Sequence, residues 1–86
     1  MNKVTIRFYE ELNDFLAKSN QKKLLEYAFT WKDTVRNALE SFGVPHTEVD
    51  LVLVNGEPVS FDKELTDGDR ISVYPIFESI DISETT

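Results

Sequence analysis

The chain has no cysteine, which excludes a disulfide framework, a thiolate metal site and a thiol nucleophile. Its single histidine, His46, excludes any metal site built on clustered imidazoles. Only six of its 86 residues are glycine or proline, and repeats and low-complexity tracts are absent. No apolar run approaches the roughly 18 residues of a membrane span, and the start lacks a basic, then apolar, leader. A cytoplasmic protein is expected, with one domain over residues 1–82 and a polar tail over 83–86. Bases are scarce: nine against sixteen acids, for a net charge of -7. They are also uneven, with seven bases and five acids in residues 1–39 (net +2), and two bases and eleven acids in 40–86 (net -9). Nucleic acid and anionic membranes need clustered Lys and Arg, so neither is an expected direct partner. The alternative of a small RNA-binding domain relies on Lys3, Arg7, Lys22, Lys23, Lys32 and Arg36, which are scattered over strand, loop and helix with no aromatic ladder between them.

What is present is periodic. Lys3 to Tyr9 alternates, with Val4, Ile6 and Phe8 on one face, which predicts a half-buried strand. Leu12, Phe15 and Leu16 switch to helical spacing for a turn or two. Leu25, Tyr27 and Phe29 alternate again as a second strand. The main helix is expected to open at Thr30 as N-cap, with Trp31, Val35, Ala38, Leu39 and Phe42 as its apolar stripe. Gly43 suits a left-handed C-terminal cap, and Pro45 forbids continuation. Leu51 to Val54 is a short apolar strand, Asn55-Gly56 a strong hairpin signal, and Pro58 marks the returning strand as short or at an edge. Asp67-Gly68-Asp69 is a second tight turn before a last strand from Arg70 to Ile76. The order strand, strand, helix, strand, short strand, strand predicts an α+β fold. It is the arrangement of a β-grasp domain: a mixed sheet of four or five strands with one main helix packed across one face.

Specific residues narrow this further. Gly43-Val44-Pro45-His46-Thr47-Glu48-Val49, Val54-Asn55-Gly56-Glu57-Pro58-Val59, Asp67-Gly68-Asp69-Arg70 and Tyr74-Pro75-Ile76-Phe77-Glu78-Ser79 follow one another in this order. Together with the opening Arg7 to Leu16, they resemble the ubiquitin-like domain that precedes Mut-seven C-terminal type (PIN-like) ribonuclease domains. The resemblance covers roughly residues 3–82 and extends to the related MoaD/ThiS sulfur carriers, which share the two glycine turns. It implies a noncatalytic interaction module whose protein partner is a PIN-like ribonuclease, fused or separate, and it implies no cofactor. Sulfur carriers resemble ubiquitin in ending on a flexible Gly-Gly that is adenylated. The sequence here has no glycine after Gly68, so carrier activity is not expected.

No catalytic, cofactor-binding or metal-ligating residue is assigned. His46, near Glu48 and Asp50, is expected to fix the helix-to-strand turn rather than act as a base. Asp62, Glu64, Asp67 and Asp69 do not fit the twelve-residue calcium loop with its terminal glutamate. The candidate protein-interaction surface is the sheet face turned away from the helix. With Val4, Ile6, Phe8, Leu51, Leu53, Ile71 and Val73 assigned inward, the outward set keeps Arg7, Val52, Val54, Tyr74 and Ile76, continued by Phe77. Thr5, Ser72 and Ala28 share that face, and Glu26 lies at its rim. A partner, a second copy, or the chain's own Phe77, Ile80 and Ile82 would cover such a patch. On this reading Tyr74→Ala or Val54→Asp weakens a contact and leaves the fold intact.

Overall fold

The structure, a computed structural model, describes residues 1–76. The expected boundary at residue 82, and Phe77, Ile80 and Ile82, lie outside the described residues. Five strands form one mixed sheet: β1 (Asn2–Phe8), β2 (Leu25–Phe29), β3 (Val49–Val54), β4 (Glu57–Pro58) and β5 (Arg70–Pro75), in the order β2-β1-β5-β3-β4. The first and last strands run parallel at its centre, pairing Ile6 with Ile71 and Phe8 with Val73, and the other pairs are antiparallel. Helix α1 (Val35–Ser41) lies against one face. Its Val35, Ala38 and Leu39 are fully buried in a single core with Val4, Ile6, Phe8, Ile71 and Val73. This is the α+β, β-grasp arrangement that the element order predicts.

The strand β3 corrects the sequence reading. Val52 and Val54 are 2% and 4% exposed and face the helix, whereas Leu51 is 40% exposed. The register explains this: Val52 sits opposite Val73 and Val54 opposite Ile71, both core residues, and residues directly across a ladder share a face. Four consecutive apolar residues carry no alternation to fix parity. The tight Asn55-Gly56 turn fixes it, with both residues at positive φ (54° and 87°) and Val54 paired to Glu57. An irregularity between Val49 and Leu51 then shifts the register, so Val49 is buried while Asp50 and Leu51 both face solvent. Val52 and Val54 are therefore core, and Val54→Asp attacks the fold itself.

The helix also starts later than its apolar stripe implies. Thr34 is the N-cap, its hydroxyl accepting the Asn37 amide at 3.3 Å, and Trp31 lies outside the helix, 77% exposed. The intervening segment is pinned elsewhere. Asp33 accepts hydrogen bonds from the Thr34 amide (2.9 Å), the Asn37 side-chain amide (2.8 Å) and the Tyr27 hydroxyl. The Val35 amide donates to the Lys63 carbonyl, and the Leu65 amide to that of Asp33. At the other end Gly43 (φ +89°) donates to the Glu40 carbonyl while Val44 donates to that of Leu39, a Schellman closure.

Candidate interaction surface

The outward face is built from β1, β5 and β3. Parallel pairing brings Arg7 beside Ser72, and antiparallel pairing sets Ser72 beside Leu53 and Tyr74 beside Leu51. One step beyond the end of β1, Tyr9 stacks on Tyr74 with ring centroids 4.6 Å apart and planes within 7°. The Arg7 guanidinium lies 5.4 Å from the centre of the Tyr9 ring. Cation, two phenol rings and the Leu53 and Leu51 side chains thus form one band across the sheet. Ile76, 43% exposed, lies just past its β5 end. The Arg7 Nε is buried and has no hydrogen-bond partner among the described residues.

Of the residues expected at this surface, Arg7 and Tyr74 both lie against the Tyr9 ring, Ile76 is exposed just past β5, and Val52 and Val54 lie in the core. Phe77 falls outside the described residues. Three members were missed: Tyr9, Leu51 and Leu53. Tyr9 was within reach, since it continues the parity of Thr5 and Arg7. Ala28 and Glu26 lie on the same face beside Lys3 and Thr5, where the Lys3 ammonium is 3.6 Å from the Glu26 carboxylate.

The remaining polar candidates are occupied by structural work. His46 Nδ1 is 2.6 Å from a Glu40 carboxylate oxygen, and the His46 amide donates to the same oxygen at 3.3 Å. The partner is thus the helix, not Glu48 or Asp50. These hydrogen bonds hold the Glu40 carboxyl below its ordinary value. Asp69, 7% exposed, accepts from the Thr66 amide and from the Asn55 side-chain amide, while Asn55 Oδ1 accepts from the Arg70 amide. Asp67 accepts from the Lys3 amide at 2.7 Å, and Asp62 pairs with Arg36 at 2.8 Å. The acidic loop therefore ties the two glycine turns together. No group of three or more potential metal ligands occurs among the described residues. Nor is any described helix long and apolar enough to cross a membrane.

A family model described as Mut7-C ubiquitin matches residues 1–81. No curated protein matches the chain. Among solved structures, the putative molybdopterin converting factor subunit 1 of Pyrococcus furiosus is 23% identical, with a TM-score of 0.65 over 87% of this chain and 98% of that one. Two crystal structures of small archaeal modifier protein 1 of Haloferax volcanii are similar as well. One is 16% identical with a TM-score of 0.65 over 87% of this chain and 98% of that one. The other is 15% identical with a TM-score of 0.67 over 91% and 99%. At these identities the likeness concerns the fold.

Proposed function

We propose, for a chain that belongs to the Mut7-C ubiquitin family, that this ubiquitin-like domain is a noncatalytic protein-interaction module acting with a PIN-like ribonuclease, fused to it or bound in trans, in the cytoplasm. The observation that carries the reading is the outward sheet face. A solvated antiparallel face alternates to polar residues. This one instead presents stacked Tyr9 and Tyr74, half-buried Leu53, exposed Leu51 and Ile76, and the Arg7 guanidinium beside the Tyr9 ring. Tyr and Arg at the centre of a flat apolar band are the residue types that dominate interface energetics. In this reading the nuclease performs the chemistry and the module positions it. The net charge of -7 suits a partner whose own surface is basic because it handles RNA.

The test is isothermal titration calorimetry of the chain against a Mut7-C type PIN-like ribonuclease domain. Saturable binding is expected, weakened on the order of tenfold or more by Tyr74→Ala, as for a central aromatic anchor. Absence of binding, or equal affinity of the variant, would contradict the proposal.

A further inference from the structure

A second feature lies at the end of β5, where the sheet meets two short 3₁₀ turns, Glu10–Phe15 and His46–Glu48. Between them opens a groove of about 420 Å³ lined by residues that include Glu11, Phe15, Thr47, Glu48, Pro75 and Ile76. Its apolar residues are available: Phe15 is 42% and Ile76 43% exposed. Its charges are of one sign, and neither Glu11 nor Glu48 has an ion-pair partner among the described residues.

Both walls are preorganised. Glu10 leaves β1 at positive φ (52°), a conformation that a non-glycine residue holds only when its surroundings impose it. Here the buried Asn13 side chain imposes it, donating to the Phe8 and Glu10 carbonyls (3.2 and 3.0 Å) and accepting the Lys22 amide at 2.6 Å. The opposite wall is fixed by the bonds from His46 to Glu40 and by the Glu48 amide donating to the Pro45 carbonyl at 3.0 Å. A rigid groove loses little entropy when a ligand enters it.

We infer that this groove seats a partner segment combining an apolar side chain, set between Phe15 and Ile76, with flanking Lys or Arg for Glu11 and Glu48. Charge decides against the nearest competitor. Residues 77–86 carry Glu78, Asp81 and Glu84 and no base, so a basic partner segment complements the acidic walls better in charge than that sequence does. The inference rests on the interaction-module reading and locates a second contact for the same kind of partner, since Ile76 borders both the groove and the outward face.

The probe is a pair of capped synthetic peptides, Lys-Leu-Leu-Lys and Glu-Leu-Leu-Glu, titrated into the isotopically labelled chain and followed by amide chemical shifts. The basic peptide is expected to move Glu11, Phe15, Thr47, Glu48 and Ile76, and the acidic one not. Affinity should fall on the order of tenfold in the shape-preserving Glu11→Gln/Glu48→Gln variant, as removal of two rim charge pairs implies. Shifts confined to Arg7, Leu53 and Tyr74, equal response to both peptides, or no shifts overturn the groove assignment. So do contacts from Phe77 or Ile80 to Phe15 in the peptide-free chain. The module reading is decided separately, by calorimetry against the nuclease domain, so either can fail alone.

Discussion

At the scale of single residues, Val54, Gly43 and Tyr74 separate fold from function. Val54 is 4% exposed opposite Ile71, so Val54→Asp places an unpaired carboxylate in the core. The expected loss is about 3–5 kcal/mol, measured by chemical denaturation, and unfolding at room temperature fits the same account. Gly43 has two constraints at once: φ is +89°, and a Cβ there would lie 3.3 Å from the Phe15 carbonyl oxygen. Gly43→Ala should therefore cost about 1–3 kcal/mol, whereas Gly56→Ala, with open space around it, meets the φ constraint alone and should cost less. Equal losses for the two would contradict the close approach of Phe15 to the helix end. Tyr74→Ala removes a stack worth about 0.5–1.5 kcal/mol but opens no core cavity, so it should fold and lose binding.

Among the elements, the junction between β2 and α1 carries a pH dependence of its own. Burial, together with the hydrogen bond to Asp33 and that group's charge, pushes the Tyr27 hydroxyl up to about 12. Burial also opposes the charge on Asp33, but hydrogen bonds from Tyr27, Asn37 and the Thr34 amide outweigh it and hold the carboxyl below its ordinary value. The signs follow. Tyr27 stabilises fully below its unfolded value of 10.0, and this contribution disappears as pH climbs toward 12. Asp33 stabilises above the unfolded carboxylate range, about pH 4, and its contribution vanishes as pH falls through the folded value. Tyr27→Phe should abolish the phenolate absorbance step near pH 12 and cost about 1 kcal/mol at neutral pH. Persistence of that step would contradict the assignment. The same junction shows the limit of sequence legibility. The stripe Val35, Ala38, Leu39, Phe42 and the cap at Gly43 were readable because they are local. The displacement of the N-cap from Thr30 to Thr34 was not, because it is imposed by Tyr27, Lys63 and Leu65 from other elements. The face of β3 was hidden for a related reason: Leu51 to Val54 has no alternation, and its parity is set by a turn and a bulge. That single ambiguity carried Val52 and Val54 onto the candidate surface and left Leu51 and Leu53 off it.

For the whole molecule, the sheet divides labour between its faces. One face and α1 bury the core, and the other presents an aromatic, arginine-edged band. At its end lies a groove walled by Glu11 and Glu48. Loop carboxylates that resemble a ligand set instead tie turns together, as Asp69 does between Thr66 and Asn55. The acidity is thus partly structural, and under the proposed function the remainder is a field that suits a basic partner. Binding should accordingly weaken with rising ionic strength, and salt-insensitive affinity would argue against that field as a determinant. The most direct measurement is an amide chemical-shift footprint of the labelled chain saturated with a Mut7-C type PIN-like ribonuclease domain. The account predicts a continuous footprint over Arg7, Tyr9, Leu51, Leu53, Tyr74 and Ile76, with α1 unaffected. A footprint centred on Val35 to Ser41, or none at saturating nuclease, would contradict it.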